Sequence, residues 1–126
     1  MKPCAIIDES DFPLVYIRFT GNSSTDENFP SYLEKTKACY RHQQPLSIIF
    51  DATEATLPSL SHQKMQAQWL KENEELMKEF CRGTAYVIPQ AAIRAVLKMI
   101  FSFQKQPVPY QIFKTAEEAK SWVSSL

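Results

Sequence analysis

A single α/β domain built on a mixed, mostly parallel five-stranded sheet is the fold class this sequence predicts. Three observations carry it. Short apolar runs alternate with longer stretches of helical period, the first two runs are joined by a connection too short for a crossover, and 126 residues suffice for one core without staples. The expected element order is β-β-α-β-α-β-α-β-α, with four helices and one domain spanning residues 1–126.

The first two strands are read at Cys4–Asp8 and Leu14–Phe19. Only Glu9, Ser10 and Asp11 lead from the first strand toward Pro13, so the pair forms an antiparallel hairpin. Gly21 and Asn22 end the second strand. Ser24 with Glu27 three residues on reads as a capping box, and Phe29, Tyr32, Leu33, Thr36 and Cys39 recur at helical spacing behind it. Arg41 and His42 suit the negative end of that helix.

Leu46–Phe50 is nearly continuous apolar sequence, as in a strand covered on both faces, and Asp51 closes it. After the loop Ala52–Pro58, Ser59 or Ser61 caps the longest helix, in which Met65, Trp69, Leu76 and Phe80 line one face beside Leu70 and Met77. Gly83 reads as the residue just past that helix. Thr84–Ile88 is the next strand, Pro89 opens a helix to about Phe103, and Pro107 and Pro109 bracket its exit. Tyr110–Phe113 is the last strand. Thr115 and Glu118 form a capping box for a final helix with Ala119, Trp122, Val123 and Leu126 as its stripe.

Composition excludes several classes. Lys plus Arg and Asp plus Glu number 14 each, which gives no overall charge for nucleic acid. Cys4, Cys39 and Cys81 are widely spaced, without a CxxC pair, and read as buried free thiols of a cytoplasmic protein. No run of about 20 apolar residues offers a membrane span. With two glycines, Gly21 and Gly83, the chain has neither GxGxxG nor a P-loop, and His42 and His62 lack metal-ligand spacing. No cofactor, metal or catalytic set is therefore assigned, and His62 is expected at the surface.

Function is expected where strands of an α/β sheet end, in the loop after Asp51. Its hydroxyls, Thr53, Thr56, Ser59 and Ser61, cap and turn the chain, and Ser59 and Ser61 are also candidates for phosphorylation because a helix N-terminus favours negative charge. Asp51 with Glu54, or Ser59 or Ser61 with His62, are the only seeds of a small hydrolase.

The helix from Gln90 to Phe103 stands out. Its apolar residues fill an arc of roughly 200°, about twice what a helix on a sheet needs. The excess either meets a neighbouring helix or the Pro-rich exit, or contacts a protein partner, a second subunit, or an apolar or anionic lipid-like ligand. Arg94 and Lys98 occupy the remaining face, and Met99, Phe101 and Phe103 test the alternatives by their burial.

The residues Arg18–Phe19–Thr20–Gly21, Phe50–Asp51–Ala52, Leu57–Pro58–Ser59, Gln66–Ala67–Gln68–Trp69–Leu70 and Arg94 through Phe103 resemble the small bacterial SpoIIAA-like proteins of the STAS/SEC14-type fold group. Pro107–Val108–Pro109, Glu118–Ala119 and Trp122–Val123 extend the resemblance over almost the whole chain. It implies a five-stranded mixed sheet with helices. For anti-sigma-factor antagonists it also implies a phosphorylated serine that begins the helix after the third strand, preceded by Asp and followed by a Ser-Gly turn. Here that neighbourhood reads Leu57–Pro58–Ser59–Leu60–Ser61, without the Asp or the glycine. The SEC14-like side of the group implies an apolar ligand.

The combined expectation is a non-enzymatic cytoplasmic binding module for a protein partner or small apolar ligand. Its site would comprise Asp51, Thr53, Leu57, Ser59, Ser61, Arg94, Lys98, Met99, Phe101 and Phe103. An antagonist-like regulator switched near Ser59 or Ser61 is the alternative, and a small hydrolase the weaker one. A homodimer and peripheral membrane contact stay open.

Overall fold

A computed structural model describes all 126 residues. Strands β1 (Ala5–Asp8), β2 (Leu14–Phe19), β3 (Leu46–Asp51), β4 (Cys81–Val87) and β5 (Tyr110–Phe113) form one sheet in the order β1-β2-β3-β4-β5. The opening hairpin is antiparallel and every later pairing is parallel. Five helices accompany them: α1 (Asn28–Ala38), α2 (Leu60–Glu72), α3 (Glu74–Phe80), α4 (Ala91–Phe103) and α5 (Ala116–Ser124), with a 3-10 turn at Cys39–His42.

The sheet order dictates the layers. From β2 onward each strand lies beside its predecessor, so right-handed crossovers put α1, α2, α3 and α4 on one face. Val15, Ile17, Leu46 and Ile48 face those helices in the main core, while Ile49, Ala85 and Val87 point the other way against Ala119 and Val123 of α5. The period-two alternation of a strand separates the two sets.

Four expectations are corrected. The long helix is two helices that meet at buried Asn73, whose backbone leaves the helical conformation (φ −109°, ψ 16°) and whose side-chain amide donates to the Trp69 carbonyl at 2.9 Å. The helix count is therefore five. The capping pair of α1 is Thr25 and Asn28 rather than Ser24 and Glu27: Asn28 N donates to Thr25 Oγ1 at 2.9 Å and Thr25 N donates to Asn28 Oδ1 at 2.7 Å. Gly83 does not end a helix. It lies inside β4, opposite Ser47, because that strand begins at Cys81. Finally, His62 is buried, for reasons given below.

The other caps hold as read. Ser59 Oγ accepts from His62 N, and Thr115 Oγ1 accepts from Glu118 N. All three cysteines are free and buried, and desolvation pushes the Cys39 thiol up to about 12. No helix is long and apolar enough to cross a membrane.

Glu9, in the hairpin connection, receives a fork from Arg41 at 2.9 and 2.8 Å and a contact from His42 at 3.3 Å. The Arg41 hydrogen bonds, chiefly, hold its carboxyl at about 2, below the ordinary 4.5. A depressed carboxyl stabilises the fold above its unfolded value and loses that contribution as pH falls through the folded one. Urea midpoints of the wild type and of Glu9→Gln should therefore converge between about pH 4.5 and 2. A difference that stays constant across that window would refute the assignment. Salt should shrink the effect, since the pair is partly exposed.

Candidate functional site

Two features meet around α2 and α4: an apolar pocket open at one end, and an apolar surface outside it. The cavity has an open volume of about 120 Å³ and lies between the sheet and α1, α2 and α4. It runs from the loops at the carboxyl ends of β2 and β3, where Gly21, Ser24, Thr56 and Pro58 border it, inward to Tyr40 and Thr84. Gly21 turns the chain there with a φ of 88°, a conformation that suits glycine.

The walls are mostly apolar, with Ile48, Leu70, Met77, Val96 and Ile100 among them. Most polar groups that reach the cavity are already committed. Tyr32 Oη donates to Gln66 Oε1 at 3.1 Å, Thr36 Oγ1 to the Tyr32 carbonyl at 2.9 Å, and Gln106 Nε2 to Tyr86 Oη at 2.7 Å. The Tyr40 and Thr84 hydroxyls are fully buried and make no well-formed hydrogen bond to oxygen or nitrogen. Both border the Cys81 thiol, which is occupied with the Gly83 carbonyl at 3.5 Å. Burial pushes the Tyr40, Tyr86 and Cys81 groups upward, so each stays protonated at neutral pH.

Outside, α4 keeps an open apolar side. Ile100 is its only fully buried residue, Phe101 is half-buried, and Met99 and Phe103 are 47% and 43% exposed. A neighbouring helix therefore does not cover the wide face. Lys64 of α2 lies 5.8 Å from the Phe103 ring centroid, joining this side to α2. At the start of α2, Leu57 is 63% and Leu60 54% exposed, and Ser59 and Ser61 are exposed beside them.

The residues singled out in the sequence divide among several places. Phe101 lines the cavity, whereas Leu57, Ser59, Ser61, Lys98, Met99 and Phe103 lie on the surface. Asp51 and Thr53 form their own knot away from the cavity. Asp51 Oδ1 accepts from the Thr53 amide at 3.0 Å and hydroxyl at 2.6 Å, and Oδ2 accepts from Tyr16 on the α5 face. Burial works to raise the Asp51 carboxyl, but those hydrogen bonds and the charge of Arg18 bring it below its ordinary value. Arg94 spends its guanidinium on the Ile88 and Pro89 carbonyls, both at 2.9 Å. Through Nη1 it clamps the end of β4 to α4.

One cluster was not legible in the sequence. His62 Nδ1 lies 2.8 Å from Ser24 Oγ, its Nε2 lies 2.8 Å from Asp26 Oδ1, and its ring stacks on Phe29 at 5.0 Å and 7°. A carboxylate only accepts, so Nε2 carries a proton, and in the neutral ring Nδ1 accepts from Ser24. Ser24 and Asp26 precede His62 by 38 and 36 residues, a separation without sequence signature. No group of three or more potential metal ligands gathers anywhere.

No family model matches the sequence, and no curated protein matches it significantly. Its fold is similar to the crystal structure of an anti-sigma factor antagonist from Mycobacterium paratuberculosis. The TM-score is 0.61 at 13% identity, over 95% of this chain and 92% of that one. The chain thus has a SpoIIAA-like, STAS-type α/β fold.

Proposed function

We propose, from the premise of this antagonist-like fold, that the chain is a non-enzymatic cytoplasmic regulator that docks a protein partner. The docking face combines the approach and first turn of α2 with the open side of α4. One observation carries the reading: Leu57, Leu60, Met99 and Phe103 are large apolar side chains left open to water on these two helices and the loop between β3 and α2. The similarity to an anti-sigma factor antagonist supports a protein partner over a lipid-like one.

Ser59 and Ser61 supply the switch. A phosphate on Ser59 would keep the N-cap role, because its oxygens can accept from the same amide and the helix dipole favours the charge. It would also set about two negative charges between Leu57 and Leu60, and an apolar contact cannot take up that charge. The switch would thus act by repelling the partner, with no refolding of α2.

Affinity capture from the source cell with wild type, Leu57→Asp/Leu60→Asp and Ser59→Glu tests both parts. A protein retained by the wild type should fall about tenfold with the double variant, equivalent to losing 1.4 kcal/mol. It should also weaken with Ser59→Glu while the circular dichroism stays unchanged. Identical capture by all three would refute the docking face. The small-hydrolase alternative loses the Ser59 or Ser61 pairing read in the sequence, because the His62 ring meets Ser24 and Ser59 bonds only the His62 backbone amide; it rests instead on the Ser24–His62–Asp26 cluster, with Ser24 as nucleophile and His62 as base.

A further inference from the structure

We propose that the docking face, on which this inference rests, takes an acidic amphipathic segment of the partner protein, with apolar side chains set among Asp and Glu. The face offers both halves of the match. Leu57, Leu60, Met99 and Phe103 supply apolar contacts, and exposed Lys64, Lys98 and Lys105 supply cations.

Charge is unevenly distributed in a chain that is neutral as a whole. Residues 55–71 and 83–116 hold Lys64, Lys71, Arg94, Lys98, Lys105 and Lys114, and not one Asp or Glu. All 14 acidic residues fall in the rest of the chain. The approach to α2 from residue 55, α2 as far as Lys71, and the whole of α4 therefore bring no carboxylate of their own to the face. Glu54, three residues before Leu57, is the acidic residue closest in sequence to any of the four apolar anchors.

The fold joins the cations to the apolar side chains. Leu60 and Lys64 stand one turn apart on α2, about 40° from each other around its axis, and Met99 and Phe103 repeat that relation on α4. Lys64 reaches across to the Phe103 ring, 5.8 Å from its centroid, so the two stripes form one patch. Lys98 adjoins Met99, and Lys105 follows Phe103 by two residues. Asp26 meets α2 through His62, about 160° around the helix from Leu60 and Lys64, and so does not offset the lysines.

These charges decide between occupants. A second copy would set the same positive patch against itself across an isologous contact. An anionic membrane would match the charge, but interfacial helices draw on Trp and Phe anchors. Both tryptophans here turn inward, Trp69 into the core and Trp122 against Phe113. An acidic segment with apolar anchors meets both components, and opposite charge speeds and orients its docking. It also makes the contact sensitive to a phosphate on Ser59, the residue before Leu60.

Three probes separate the occupants: a short amphipathic peptide of Leu and Glu, its counterpart with Lys for every Glu, and phosphatidylglycerol vesicles. Titrated at low salt against methyl-labelled protein, the Leu-Glu peptide should shift the Leu57, Leu60 and Met99 methyl signals saturably. It should bind about tenfold tighter than the Leu-Lys peptide, as three exposed ion pairs of modest worth allow. That ratio should shrink in about 0.5 M salt, where exposed charges are screened. Lys64→Glu/Lys98→Glu should remove the preference with circular dichroism unchanged, and a preference that survives overturns the role of these two lysines. Equal affinity for the peptides, or a preference for the Leu-Lys one, overturns the acidic partner and leaves the apolar docking face standing. No saturable shift with either peptide also overturns it, while capture with Leu57→Asp/Leu60→Asp still decides the face by itself. Vesicles that remove these signals where the Leu-Glu peptide leaves them unmoved assign the patch to a membrane and overturn the proposal.

Discussion

Replacing His62 with alanine should lower stability by about 2–3 kcal/mol, a large share of what a domain of this size holds in reserve. Three losses combine. The imidazole is 4% exposed, so its removal leaves a void beside Phe29 where a stacked ring had been. Ser24 Oγ loses its partner in a part-buried position, and Asp26, which is 95% exposed, simply returns to water. The loop from Gly21 to Glu27 also loses its tie to the first turn of α2.

Urea denaturation measures the first effect, and amide exchange of residues 21–27 measures the last. His62→Phe should recover part of the stability, because it restores the stack without the hydrogen bonds, but it should leave the loop exchanging fast. Equal stability of His62→Ala and wild type would show that the cluster holds nothing. The same variants test the hydrolase alternative. Turnover of p-nitrophenyl acetate by the wild type, removed by both Ser24→Ala and His62→Ala, would establish it, whereas no turnover above buffer would reduce the cluster to a latch.

Gly83→Val should cost a comparable amount, about 2–3 kcal/mol, through overpacking. A Cβ at this position would stand 2.7 Å from Leu126 Cδ1, 3.2 Å from Trp122 Cη2 and 3.3 Å from the Pro109 carbonyl oxygen. These neighbours differ in what they can yield. Leu126 is 40% exposed and can swing aside, so Gly83→Ala should cost less than about 1 kcal/mol. The Pro109 oxygen is fixed, because it accepts from Thr84 N at 3.0 Å, and Trp122 is braced by Phe113 at a centroid distance of 6.0 Å. The two further carbons of valine must press on one of them, loosening α5 or the β4–β5 pairing. Urea midpoints of the two variants, alanine near wild type and valine well below it, check the ordering. A valine variant as stable as the alanine variant would contradict it.

Chain-local features were legible where one residue decides them against its near neighbours. The hairpin followed from the short Glu9–Asp11 connection, the two-sided burial of β3 from Leu46–Phe50, and the caps at Ser59 and Thr115 from their own side chains. Local reading failed where residues had two partners to choose from. Ser24 followed a capping pattern with Glu27, yet Thr25 and Asn28 satisfy each other better and free Ser24 for His62. Asn73 falls inside the stretch read as one long helix, and only the structure shows it buried with its amide on the Trp69 carbonyl.

The sequence by itself determined the layer plan of this protein. Hydrophobic period and connection length state how many strands pair, in which direction, and which side chains each face buries. They also show that no glycine-rich phosphate loop is present, because that chemistry needs residues close in sequence. Only the tertiary structure decided where function can reside. It spent Arg94 on two carbonyls and turned Asp51 toward Tyr16, while Met99 and Phe103 stayed in water. It also packed the Tyr40 and Thr84 hydroxyls, 44 positions apart by their numbers, around the buried Cys81 thiol. A cavity is a property of how helices settle on a sheet to within about an ångström, and no periodicity along the chain encodes that distance.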